Sequence, residues 1–175
     1  MKWSVLTLVG ADQSGIVAAV TDTLYQRGCS LAQASMMQLG ANFAIMLRVS
    51  HDEDKDLREI LNEICTRMNL HLHIDEDVAV QSAGLEPDVQ VTVYGADRSG
   101  IVAQVTSALA QAGLNIIDLE TDVAGSQDKP IYIMSLEGVA EKGLAPLQKA
   151  VEVLDSNVLD SDIEINIDEI NTLRG

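Results

Sequence analysis

Apolar positions along the chain switch between two periods. From Trp3 to Val9 they alternate, with Leu6 and Leu8 on one side and Trp3, Val5 and Val9 on the other, which predicts a strand with one buried face. Past a glycine-containing turn, Ile16, Val17, Val20 and Leu24 recur at helical spacing until Gly28 stops the helix. Strands are expected over Ser30–Gln38 and Phe43–Ser50, joined by the hairpin turn Leu39-Gly40-Ala41-Asn42. The polar run His51–Asp56 opens a second helix carrying Leu57, Ile60, Leu61, Ile64 and Met68 on one face. Leu70, Leu72 and Ile74 then alternate with His71, His73 and Asp75 as a fourth strand.

The order β-α-β-β-α-β repeats in the second half. A strand is expected over Val89–Tyr94, a helix over Ile101–Ala112 ended by Gly113, and a strand over Leu114–Val123. A longer loop Ala124–Pro130 and a strand Ile131–Glu137 follow. A helix with Leu144, Leu147, Val151 and Leu154 and a last strand with Ile163, Ile165 and Ile167 complete the half. Gln81–Asp88, with Ser82, Gly84 and Pro87, reads as a linker. The expected division is residues 1–80, linker 81–88, residues 89–169 and a tail 170–175. Each half is then a ferredoxin-like α+β unit with both helices on one face of a four-stranded antiparallel sheet.

That arrangement leaves the other sheet face open. In the second half the open face is expected to carry Asp88, Gln90, Tyr94, Glu164, Asn166 and Asp168, all content in water. In the first half it carries Trp3, Val5 and Val9. An apolar open face predicts a cover, expected to be a second subunit of a homo-oligomer.

Composition narrows the function classes. Of 175 residues, 11 are basic and 27 acidic, for a net charge of −16 with no basic cluster, which argues against direct nucleic-acid binding. No apolar run approaches the ~18 residues of a membrane span, and Met1-Lys2-Trp3-Ser4 begins no secretory signal, so a cytoplasmic location without membrane attachment is expected. Cys29 and Cys65 form neither a disulfide framework nor a Cys-x-x-Cys pair.

One stretch is spelled twice. Gly10-Ala11-Asp12-Gln13-Ser14-Gly15-Ile16-Val17-Ala18 returns as Gly95-Ala96-Asp97-Arg98-Ser99-Gly100-Ile101-Val102-Ala103, each position displaced by 85 residues. Each copy joins a strand to a helix, where unpaired backbone N–H groups and the positive end of the helix dipole favour a carboxylate. Asp12 or Asp97 is suited to an Asx or N-cap hydrogen bond, and Ser14 or Ser99 to a second. Gly15 and Gly100 allow close approach to the backbone. Two readings stay open at this point: a ligand-binding turn, or ordinary helix capping.

The doubled turn resembles the Gly-x-Asp-x-x-Gly-Ile-Val signature of the ACT domain, a ligand-sensing module. With Arg27-Gly28-Cys29-Ser30-Leu31 and Met36-Met37-Gln38-Leu39-Gly40, the paired arrangement is similar to the glycine cleavage system transcriptional repressor family. Related ACT sequences also begin formyltetrahydrofolate deformylases, which continue into a catalytic domain that is not expected here. The resemblance implies a non-enzymatic, cofactor-free cytoplasmic regulator. It would respond to an amino acid, glycine or serine, and act through a protein partner such as a DNA-binding regulator.

In ACT domains the amino acid lies between the turn and the start of the second strand, often where two domains pair. The resemblance therefore nominates Asp12, Gln13, Ser14, Gly15, Ile16 and Ser30 in the first copy, and Asp97, Arg98, Ser99, Gly100, Ile101 and Asn115 in the second. Asn115 both donates and accepts, whereas Ser30 is shorter. Arg98 replaces Gln13 and adds charge for a carboxylate, which makes the second copy the better equipped. A constitutive interaction module, or an accessory subunit of an amino-acid or one-carbon enzyme, is the alternative.

Other constellations fail on chemistry. Ile16-Val17 stands where a phosphate-binding loop needs Lys-Ser/Thr. Asp52, Asp54, Asp56 and Glu63 imitate a calcium loop, but Leu57 occupies its glycine position. His71 and His73 share a strand face with Asp75 and no apparent further ligand. No nucleophile and base can be paired.

Overall fold

The computed structural model describes residues 1–76, 85–95, 99–126, 129–157 and 163–170. The chain divides into two compact units, Met1–Ser82 and Ala83–Gly175. In the first, β1 (Lys2–Ala11), α1 (Ile16–Gln26), β2 (Ser30–Leu39), β3 (Asn42–His51), α2 (Leu57–Arg67) and β4 (His71–Asp75) form an antiparallel sheet in the order β2-β3-β1-β4. The second repeats this with β5 (Val89–Gly95), α3 (Ile101–Ala112), β6 (Leu114–Ser126), β7 (Lys129–Ala140), α4 (Leu144–Asn157) and β8 (Ile163–Glu169), in the order β6-β7-β5-β8.

Period-2 strands against period-3.6 helices build each core. Leu6 and Leu8 of β1 are wholly buried beside Leu47 and Val49 of β3, under Val20 and Leu24 of α1 and Leu61 of α2. Val91 and Val93, Met134 and Leu136, Val105 and Leu109, and Leu147 play the same parts in the second unit. α2 starts at Leu57 because the Asp56 carboxylate accepts from the N–H groups of Arg58 (2.8 Å) and Glu59 (3.2 Å), which is why the acidic run before it is a helix start.

The expected loop Ala124–Pro130 needs correction. β6 runs on to Ser126 and β7 begins at Lys129, with Ala124 opposite Ile131 and Gly125 opposite Pro130. Glycine and proline ordinarily end strands. Among the described residues Pro130 pairs with Gly125 of β6 alone, and β5 is described as far as Gly95 opposite Tyr132; proline is tolerated at such an edge position.

The two open faces differ as expected. Trp3, Val5, Thr7 and Val9 of β1 stand beside Ala44, Met46 and Arg48 of β3, with Met37 and Leu39 on β2. Val9 is 40% exposed and Met46 53%. The Arg48 guanidinium lies 4.8 Å from the centre of the Trp3 ring, a cation–π stack that covers part of the indole. The second unit presents Gln90, Thr92 and Tyr94 with Ile131, Ile133 and Glu137 of β7, Glu164 and Asp168 of β8, and Asp118, Glu120 and Asp122 along β6, a face rich in carboxylates with an apolar patch at the β7 end. Among the described residues no helix is long and apolar enough to cross a membrane.

Candidate ligand-binding turns

Both copies of the repeated stretch place a left-handed glycine at the helix N-cap: Gly15 at φ 89° and Gly100 at φ 87°. Neither α1 nor α3 has a side-chain cap hydrogen bond. The expected capping by Asp12, Ser14 or Ser99 is thereby corrected: the N-cap position itself is a glycine, which has no side chain to offer. Nothing lies within 4 Å of where a Cβ would stand on Gly15 or Gly100, so glycine is required there for its φ. The first N–H groups to find helical acceptors are those of Ala19 (to the Gly15 carbonyl, 2.9 Å) and Gln104 (to Gly100, 3.0 Å). The preceding amides of each first turn have no acceptor within the helix.

In the first copy the flanking side chains are structurally engaged. The Asp12 carboxylate accepts from Gln38 Nε2 at 2.6 Å, and the Asp12 N–H donates to the Ala41 carbonyl at 2.8 Å, so the β2–β3 hairpin is tied to the turn. Gln13 Nε2 donates to the Met68 carbonyl at 2.9 Å, fastening the other flank to the end of α2. Ser14 is exposed. In the second copy Asp97 and Arg98 lie outside the described residues, and Ser99 is exposed. Ile16 and Ile101 are each 2% exposed and belong to the cores, so only their backbones are available to a ligand.

The start of the second strand is not beside the turn of its own unit. Ser30 pairs with Ser50, which pairs with Trp3 at the beginning of β1, whereas the turn follows Ala11 at its end. The separation is roughly 25 Å at strand rise. Asn115, half-buried and opposite Val139, is equally remote from Gly95 and Gly100. Its backbone position is tightly specified: a methyl on Gly138 would collide with the Asn115 carbonyl, and a register shift follows between Ile116 and Asp118.

Sequence reasoning missed Gln38 and the buried pair Ser4–His51, because their partners are distant in the chain. His51 Nδ1 donates to the Asp52 carbonyl (2.8 Å), so Nε2 accepts from the Ser4 hydroxyl (3.0 Å). This pair satisfies two buried polar groups at the base of β1 and β3. His73 contacts Asp75 at 3.2 Å on the surface. Among the described residues no three His, Cys, Asp or Glu are grouped to hold a metal ion. A groove of about 560 Å³ between α3 and α4, lined by Gln104, Ala108, Pro146 and Val153 among others, includes no residue of the turn.

Comparison with known proteins agrees with this architecture. Residues 4–75 and 89–156 each match the ACT domain. A UPF0237 protein of Methanococcus maripaludis is 30% identical over 87 residues, covering 50% of this chain and 92% of that protein. A UPF0237 protein of Streptococcus pneumoniae is 37% identical over 60 residues, covering 34% of this chain and 68% of that protein. A crystal structure of an unknown protein from Galdieria sulphuraria superposes over 97% of this chain and 98% of its own, with TM-score 0.74 and 23% identity. A structure provisionally described as a glycine cleavage system transcriptional repressor covers 97% of both chains, with TM-score 0.67 and 18% identity. These last two likenesses are of fold. The two matched segments, the first spanning a β-α-β-β-α-β unit and the second running from β5 into α4, each with the doubled turn at its first strand–helix junction, make this chain a member of the ACT-domain family with two domains in tandem.

Proposed function

We propose that the chain is a non-catalytic cytoplasmic regulator that binds a small amino acid, glycine or serine, at its ACT turns and acts through a protein partner such as a DNA-binding regulator. The observation that carries this reading is a contrast within the molecule. α2 begins with a complete side-chain cap at Asp56, while α1 and α3 begin at left-handed glycines without a side-chain cap hydrogen bond. Glycine is a common N-cap residue, and here it leaves the acceptor position at the helix start free of any side chain in both copies. A carboxylate ligand supplies the missing acceptor.

The two copies are not equivalent in this reading. Asp12 and Gln13 are committed to Gln38 and Met68, so the first turn serves mainly to hold its unit together. The second, with Asn115, is the sensing copy. Because turn and second-strand start are far apart in one unit, we take the ligand to bridge the turn of one copy of this chain and the second-strand start of another. Binding is thereby coupled to association, and a differential affinity of about 1–3 kcal/mol between arrangements is enough for regulation. The net charge of −16 fits action through a basic or neutral protein better than through DNA. A melting series of the full chain against individual amino acids tests the reading: glycine or serine at millimolar concentration raises the midpoint. A midpoint indifferent to every amino acid favours the constitutive interaction module.

A further inference from the structure

The helix faces of the two units are duplicates whose chemistry has diverged. Between α1 and α2 lies a cavity of about 270 Å³, walled by Asp22 and Arg27 on one side and by Glu63 and Arg67 on the other, over Ile60 and Ile64. Displaced by 85 residues, Asp22 and Arg27 become Ser107 and Ala112, and the groove these line between α3 and α4 carries a single charged side chain, Lys149. α1 and α2 run antiparallel: Gln13, ahead of α1, bonds to Met68 at the end of α2, and Lys55, ahead of α2, bonds to Gly28 past the end of α1. Arg27 and Arg67, each at the C-terminal end of its helix, therefore stand at opposite ends of the cavity.

We propose that this cavity binds an acidic amino acid, a ligand with two carboxylates and one ammonium. Three of the charged groups around it are uncommitted. Among the described residues neither guanidinium is within ion-pair distance of a carboxylate, and the Glu63 carboxylate accepts no hydrogen bond. Asp22 is less available, since Gln26 Nε2 donates to it at 2.7 Å. Helix dipoles account for a cation at each helix end. They do not account for two arginines lining one cavity with an unbonded carboxylate between them. Each guanidinium offers a planar fork to one carboxylate, and Glu63, one helical turn from Arg67, accepts from the ammonium. Ile60 and Ile64 supply an apolar floor for the short carbon chain. A monocarboxylate such as glycine fills one end alone. The cavity is at the small end for ligand pockets, which suits a metabolite rather than a nucleotide. Its charged walls are exposed, so their attraction is screened and binding is weak, in the millimolar range.

No residue of the repeated turns lines the cavity, and binding here does not rest on a ligand at the turns. Titration of the full chain with L-glutamate, L-aspartate, succinate and glycine, followed by NMR of backbone amides and arginine Nε–H groups, is the test. Saturable shifts at Arg27, Glu63 and Arg67 are expected with at least one of the acidic amino acids, and succinate, which lacks the ammonium, should bind about tenfold more weakly. Arg27→Gln and Arg67→Gln should each weaken the binding about tenfold. Arg58→Gln removes the same charge from an exposed position outside the cavity and should leave it unchanged. Glu63→Gln should bring the affinities for the amino acid and for succinate together. Absence of saturation by either acidic amino acid at millimolar concentration overturns the proposal. So does succinate bound as tightly as the amino acid by the wild type, or a loss in Arg67→Gln no greater than in Arg58→Gln.

Discussion

Gln38 Nε2 donates to the Asp12 carboxylate at 2.6 Å, across 26 residues of sequence, and so fixes the first copy of the repeated turn to the strand hairpin beside it. The contact is on the surface, where water competes for both groups. Gln38→Ala should therefore cost about 0.5–1.5 kcal/mol of stability, read from urea unfolding monitored at Trp3. Amino-acid affinity should be unchanged if the second copy is the sensor. A large loss of affinity would place the ligand at Asp12.

The bare N-caps make a second prediction. Gly15→Ala and Gly100→Ala should each destabilise by about 1–2 kcal/mol, because φ near +90° is strained for any residue with a Cβ. Ser14→Ala should stay within about 0.5 kcal/mol, as for a surface residue without a cap role. Asp56→Ala should cost about 1 kcal/mol. Equilibrium denaturation by circular dichroism separates these, and equal losses for Ser14→Ala and Asp56→Ala would mean that the serine hydroxyl does cap α1.

The two cysteines predict a pH dependence. Burial raises the Cys29 thiol, with nearby Lys55 lowering and Asp52 raising it by lesser amounts, and burial alone raises Cys65. With the native pKa above the unfolded one, the native thiol keeps its proton where the unfolded thiol has lost it. The stability each contributes is whole below the ordinary thiol range and is lost as pH climbs through the native value. Urea midpoints should fall on the alkaline side of that range, and less so in Cys29→Ala than in the wild type, relative to each protein's own neutral value. Thiol titration should find both groups slow to react in the native state and fast in urea.

Most of this architecture was legible in the residues. α3 runs from Ile101 to Ala112 between Gly100 and Gly113, as the apolar period and the glycines predict, and the alternation in β1 assigns both faces of the first sheet correctly. The β6–β7 arm departs from the expected loop because Gly125 and Pro130 are local breakers, yet they pair with each other at the far end of a long two-stranded ladder. Capping by Asp12 is a local rule that lost to a distant partner, Gln38. The remoteness of Ser30 and Asn115 from the turns is a consequence of strand length, invisible to spacing along the chain.

Titration calorimetry of glycine and serine into the full chain, repeated with Asn115→Ala and Ser30→Ala, tests the central claim most directly. The account predicts saturable binding of one of these amino acids, retained in Ser30→Ala and lost in Asn115→Ala. Absence of binding heat for both amino acids at millimolar concentration, or binding lost in Ser30→Ala and kept in Asn115→Ala, would contradict it.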